Sequence, residues 1–256
     1  MLRSISACAL GALLLSAPAA FAEEAAAPES PHSFSANVGL FSQYIFRGIS
    51  QTNEDPALQG GFDYSHSSGF YIGTWASNVS WIRDAENQTG SAEIDIYGGF
   101  ANEIGDTGIG YDVGLLYYWY PGKGLGNPGL PKGNTLEAYG QVSYGWFYAK
   151  YSHALSDDVF GFANARNSYY IDLGADIPLG DSGFTAGLHY GHQKIENATS
   201  YNDYKVSLAY DLGRLSSTFD NTELGLMYTK HDAGNVFTSN IFGSESQVTG
   251  YVTRSF

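Results

Sequence analysis

From residue 33 onward the chain is a succession of stretches in which apolar side chains take every second position. The clearest is 168–177, where Tyr169, Ile171, Leu173, Ala175 and Ile177 share one parity and Tyr170, Asp172, Gly174 and Asp176 the other. Period-two alternation is the mark of a strand with two unlike faces, because successive side chains of a strand point to opposite sides. A helix would scatter that apolar set around its axis. The same pattern recurs in 109–119, 183–192 and 203–212, and further stretches fit at 33–46, 57–66, 70–79, 91–103, 134–144, 146–154, 218–230 and 246–256. Each is about ten residues long, the length a tilted strand needs to cross a bilayer.

The links between these stretches give an independent signal. Short turns at 67–69, 105–107, 145, 180–182 and 213–216 alternate with longer links at 47–56, 80–90, 121–133, 155–167, 194–201 and 231–245. Tight turns at one end and long loops at the other are what an outer-membrane barrel has, with the turns periplasmic and the loops external. The expected fold is therefore all-β, an antiparallel transmembrane β-barrel of the outer-membrane type with about twelve strands.

The N-terminus supports export. Arg3 is followed by the apolar run Ala9–Leu15 and then Ala20-Phe21-Ala22, a small-residue cleavage motif. This predicts a signal peptide over 1–22 cut between Ala22 and Glu23, a short periplasmic tail over 23–32 and the barrel over 33–256. The apolar run is too short for a membrane helix. The one cysteine, Cys8, falls inside the signal, so neither a disulfide framework nor a thiolate nucleophile is expected.

Composition narrows function. With 26 acidic against 12 basic residues the net charge is −14, which disfavours nucleic acid as a partner. Twenty Tyr, 15 Phe and 32 Gly suit a barrel with aromatic girdles, apolar groups toward lipid, and small or polar groups inside. Strand parity places the acids Asp63, Glu93, Asp95, Asp112, Glu137, Asp172, Asp176, Asp211 and Glu223 on the inward face, with the bases Arg47, Lys150 and Lys205. Charge facing lipid costs about 2–4 kcal/mol near the midplane, so such groups belong in the lumen. Acid excess there favours cations. Two readings stay open. The twelve groups could line a conducting pore, or they could pair across the interior and close it. Arg47, placed at the external mouth of the first strand, pairs with inward acids, lines a constriction, or merely ends the strand at the interface.

Other candidates are weaker. His189 and His192 fall on opposite faces and cannot share a metal; no metal or cofactor is expected. Tyr44, Phe46, Tyr117, Trp119 and Tyr120 near external strand ends, and Phe70, Phe147 and Phe256 near periplasmic ends, read as interfacial girdles. A stacking track for sugars is the alternative. Glu54, Asp55, Asp84, Glu86, Asp157 and Asp158 lie in the long loops, either simply solvated or holding divalent cations shared with lipopolysaccharide. No G-x-S-x-G is present, and no enzyme activity is expected. Inward glycines at Gly99, Gly114, Gly174, Gly187 and Gly225 suggest an open interior.

The stretch S-Q-Y-I-F-R-G-I-S-Q-T from Ser42, P-A-L-Q-G-G-F-D-Y-S-H-S-S-G-F-Y-I-G-T-W-A-S-N-V from Pro56, E-I-D-I-Y-G-G from Glu93 and Y-D-V-G-L-L-Y-Y-W-Y-P-G from Tyr111 resembles a bacterial family of porin-like proteins named TorF, also called the Gcw_chp family of unknown function. The resemblance implies an outer-membrane barrel without an established substrate. The last strand ends in Phe256 with Val252 and Val248 in step, which resembles the signal read by the barrel assembly machinery; Arg254 departs from that series. The functional expectation is a passive channel for small hydrophilic solutes that prefers cations, in contact with outer-membrane lipid and lipopolysaccharide. The alternative is a closed barrel acting structurally or through its external loops.

Overall fold

A computed structural model describes residues 30–86, 89–123, 132–237 and 239–256. The expected signal peptide, its cleavage site at Ala22 and Glu23, and most of the expected tail lie outside the described residues, as do parts of three long links.

Twelve strands close into one antiparallel barrel. They are β1 (His32–Phe41), β4 (Ala57–His66), β5 (Phe70–Asn78), β6 (Ala92–Glu103), β7 (Ile109–Trp119), β8 (Thr135–Tyr144), β9 (Phe147–Ala154), β10 (Tyr169–Pro178), β11 (Phe184–Lys194), β12 (Ser200–Asp211), β13 (Thr222–His231) and β14 (Ser246–Ser255). Each pairs with its neighbours in sequence, and β1 meets β14 to complete the ring. Closure satisfies every ladder and leaves no free edge, the condition for strands to sit in hydrocarbon.

Alternation sorts the side chains. Leu58, Phe62, Val113, Leu115, Leu188, Val206, Leu226 and Val248 all point outward and are about half exposed or more. So much exposed aliphatic surface would be a liability in water and is what a lipid-facing wall requires. The opposite parity carries Glu93, Asp95, Tyr97, Tyr118, Glu137 and Tyr139, all buried in the barrel interior.

The first strand differs from expectation. It stops at Phe41, whose register partner is Ala57 of β4, so the barrel wall turns directly from one to the other. The segment between folds into the lumen as a hairpin of β2 (Ile45–Phe46) and β3 (Ile49–Ser50), paired Ile45 with Ser50 and Phe46 with Ile49. Arg47 and Gly48 form its tip with φ of 47° and 79°. Positive φ at both central residues is the type I′ turn, whose twist matches that of the strands.

Strict alternation of link lengths also fails near the C-terminus. The link 212–221 at the short-turn end contains 3-10 turns at Leu212–Arg214 and Ser217–Phe219, whereas the link 195–199 at the long-loop end is shorter. Other long links carry α1 (Trp81–Glu86) and α2 (Ser239–Phe242).

Candidate functional site

The hairpin tip reaches from wall to wall. Arg47 Nη2 donates to Glu137 Oε2 of β8 at 2.6 Å, and Nη1 donates to Gln193 Oε1 of β11 at 2.7 Å. The guanidinium also lies 4.4 Å from the ring centre of Tyr170 and 4.8 Å from that of Phe46. On the far side, a Cβ at Gly48 would stand 2.5 Å from Asp203 Cβ and 3.2 Å from His231 Cβ, so the turn is pressed against β12 and β13. Side-chain exposure is 5% for Arg47 and 2% for Glu137. Burial lowers the pKa of the guanidinium, but the Glu137 carboxylate together with Tyr118 and Tyr170 moves it upward. Arg47 is therefore a lumen residue; neither a strand end nor an interface position describes it.

The same hairpin brings Tyr44 inside, where its hydroxyl donates to Glu93 Oε1 at 2.8 Å. Burial, followed by the nearby Glu93 charge, raises the phenols of Tyr44 and Tyr120. These two tyrosines thus belong to the interior packing and not to the expected girdle, while Phe46 is half-buried on the hairpin. Tyr117 and Trp119 at the long-loop end, and Phe70, Phe147 and Phe256 at the short-turn end, are exposed on the outside.

All twelve charged positions singled out from parity face the interior, in two tiers. Glu93, Asp95 and Glu137 occupy the long-loop half around the hairpin and are 1%, 3% and 2% exposed. Glu93 Oε2 and Asp95 Oδ1 have no hydrogen-bond partner among the described residues. Farther down, Asp63 accepts from Tyr97 at 2.6 Å, Asp112 from Tyr71 at 2.6 Å and Glu223 from Tyr251 at 2.9 Å. Asp63, Asp176, Asp211 and Glu223 keep intermediate exposure in the short-turn half, and Lys205, also of intermediate exposure, lies midway along β12. Lys150 lies over the Tyr139 ring at 4.1 Å.

His189 stands between two carboxylates. Its Nδ1 is 2.9 Å from Asp172 Oδ1 and its Nε2 is 2.9 Å from Asp203 Oδ1. The Asp203 contact is aligned as a hydrogen bond; the Asp172 contact has ion-pair distance without that alignment. Asp203, Gln193 and Tyr118 were not singled out from sequence. Asp203 has the parity of Lys205 and was legible on that ground, but Gln193 and Tyr118 become functional candidates only once the hairpin is in place.

The inward glycines do not leave space. A Cβ on Gly114 would meet the Tyr139 ring at 2.7 Å, and one on Gly73 would meet the Tyr97 ring at 2.6 Å. Tyr148 covers Gly174 and Tyr251 covers Gly225 in the same way. These glycines are seats for tyrosine rings from the adjacent strand, and they thicken the wall.

In the loops, Asp84 pairs with Arg83 at 3.0 Å, Asp157 with Arg166 at 3.3 Å, and Asp158 accepts the Asn164 amide. Glu54 accepts the Ser244 amide at 2.8 Å. The side chain of Glu86 lies outside the described residues. Among the described residues no group of three or more His, Cys, Asp or Glu is arranged to hold a metal ion.

A closed twelve-strand antiparallel barrel with an aliphatic exterior and a charged, tyrosine-rich interior has the fold of outer-membrane barrels, and comparison with solved structures agrees. The KdgM porin aligns with a TM-score of 0.54 at 9% identity, over 87% of this chain and 99% of that one. The KdgM porin in complex with disordered oligogalacturonate gives 0.53 at 9% identity over the same shares. The outer membrane phospholipase A from Escherichia coli gives 0.48 at 12% identity, over 86% of this chain and 92% of that one. At such identities the likeness to the KdgM porin is one of fold. The chain belongs to the Gcw_chp family of bacterial proteins of unknown function, which matches residues 25–256. No curated protein matches the sequence.

Proposed function

We propose that this chain is an outer-membrane porin, of the kind the name TorF denotes. It would be a passive channel for small hydrophilic solutes that prefers cations and is constricted by the 42–56 hairpin. The observation that carries this reading is the set of partly exposed carboxylates in the short-turn half, Asp63, Asp176, Asp211 and Glu223, with Lys205 midway along β12 as the opposing charge. Fixed charge of one sign in a narrow, low-dielectric passage biases the local ion population. Oligogalacturonate, with which the KdgM porin is described, is a polyanion, and an acid-lined passage is poorly suited to such a solute.

Export by the 1–22 signal, with cleavage between Ala22 and Glu23, and contact with lipopolysaccharide and the barrel assembly machinery belong to the same proposal. N-terminal sequencing of the mature protein tests the cleavage site. No enzyme activity is proposed. Ser68 Oγ lies 2.9 Å from His66 Nδ1, but Ser68 also donates its own amide to that nitrogen, as a turn cap does.

The deciding experiment is the reversal potential of the protein in planar bilayers under a KCl gradient. Cation preference is expected, and it should fall when Asp63, Asp176, Asp211 and Glu223 are changed to amides. An anion-selective wild type, or a quadruple variant of unchanged selectivity, overturns the acid-lined channel. The second reading, a closed barrel, is favoured by the wall-to-wall Arg47 contacts. It predicts no conductance from the wild type.

A further inference from the structure

Above the hairpin, at the long-loop end, lies a cavity of about 230 Å³. Seven aromatic side chains dominate its wall: Phe46 from the hairpin, Trp81 from α1, Phe160, Phe162, Tyr201, Phe237 and Phe242. The wall is assembled from separate links and the start of β12, held together by ring contacts. Phe162 meets Phe237 at an interplanar angle of 73°, Tyr201 meets Phe237 at 74° and Phe237 meets Phe242 at 88°. We propose that this cavity is a binding site for a small uncharged molecule built on a single aromatic ring and carrying a hydrogen-bond acceptor.

Three observations select that chemistry. The first is size: an apolar cavity of about 150 Å³ already takes up benzene, so the present one has room for one substituted ring. The second is the lining. Edge-to-face arrangements are the preferred geometry between aromatic rings, and walls already set at steep angles offer a guest ring both edges and faces. A flexible acyl chain gains nothing from that geometry and loses more rotational freedom on entry. The third is polarity. Trp81 is 5% exposed, and its indole N–H is buried without a partner among the described residues. An indole nitrogen can only donate, so it calls for an acceptor. Gln51 and Gln193 supply the neutral polar part of the wall. The acids Glu54, Asp55, Asp157, Asp158, Asp232 and Glu245 in the surrounding links disfavour an anionic guest. The site does not depend on whether the barrel conducts, although Phe46 and Ile49 place its floor on the constricting hairpin.

The test is a 19F NMR titration of 4-fluorophenol against the full-length mature protein in lipid nanodiscs. Empty nanodiscs provide the partitioning baseline. Saturable binding above that baseline is expected. Two variants narrow the cavity: Ile195→Phe in its wall and Val236→Phe at its rim. Each should weaken binding tenfold or more while the barrel keeps its heat-modifiable gel mobility. Leu226→Phe on the lipid-facing wall should leave the titration unchanged. Partitioning equal to empty nanodiscs, or equal binding by the wild type and both narrowed variants, overturns the site. Tighter binding of 1-octanol than of 4-fluorophenol overturns the aromatic assignment, and equal binding of 4-fluorobenzoate overturns the requirement for an uncharged guest.

Discussion

Arg47 is the residue on which the interior turns, and its backbone is held against its own preference. A non-glycine residue in the left-handed region costs of order 1–3 kcal/mol unless its surroundings compensate. Here the compensation is a carboxylate at 2.6 Å, an amide oxygen at 2.7 Å and two aromatic faces. Asparagine is at home in a type I′ turn but has no charge to offer Glu137. Arg47→Asn therefore keeps the turn and removes the tether. Taking away one partner of a buried ion pair typically costs about 3–5 kcal/mol, because the other charge is stranded. The expected result is a higher single-channel conductance, or the appearance of one if the wild type is silent. Unchanged current with an unchanged barrel would show that the tether does not set the constriction. From sequence, parity sufficed to send Arg47 inward, but not to place it. The flanking pattern Ile45-Phe46-Arg47-Gly48-Ile49-Ser50 is a two-residue hairpin signal, yet Arg-Gly is a rare tip beside Asn-Gly, and alternation alone ran the first strand through to Phe46.

Among the elements, the barrel strands were the legible part. Their boundaries on either side of Gly69 and Gly145 agree with expectation within a residue or so, because one face must meet lipid and the other must not. The hairpin of β2 and β3 was hidden because its residues alternate as a wall strand does and nothing local says which partner they will choose. Its independence of the wall gives a direct expectation. Phe41 and Ala57 are already register partners, so replacing 42–56 by a two-residue Asn-Gly turn leaves the β1–β4 ladder intact. The shortened protein should remain heat-modifiable on gels and conduct several times more current than the wild type. A shortened protein that no longer forms a barrel would mean that the hairpin is part of the folding core. The inward glycines, which suggested open space, carry the opposite lesson. Inward glycines such as Gly114, Gly174 and Gly225 mark where a neighbouring Tyr packs, a cross-strand relation invisible to a reading made one strand at a time.

At the scale of the whole molecule, fold class and inward charge were readable from the chain, whereas the filling of the long-loop half was not. That filling arises from residues far apart in sequence, such as Trp81 and Ile82, Val159 and Ala165, and Ala233 and Phe242, packing with Tyr44, Phe46 and Ile49 of the hairpin segment. Barrel closure itself rests on the pairing of β1 with β14. Phe256 contributes to it twice, donating its amide to Ala36 O at 2.8 Å and accepting from the Ala36 amide at 3.1 Å, while Arg254 lies over its ring at 5.4 Å. Deleting Phe256 should lower the fraction of protein that runs as a heat-modifiable species in outer-membrane preparations. Wild-type levels of that species would show the residue to be dispensable for closure.

The ring of strands is not uniform. The ladder from β1 to β4 runs from His32 to Phe41, whereas the ladder from β1 to β14 runs from Asn37 to Phe41 and is extended only by the backbone bonds of Ala36 with Phe256 and of Ser42 with Gly250. Amide protons exchange with solvent through the least costly local opening, and a short ladder opens more cheaply than a long one. In micelles, the deuterium uptake of 251–255 should therefore outpace that of 59–65, although both segments lie against the same strand. The circumference would then have a defined place where it parts first, so that lateral opening begins between the two ends of the chain.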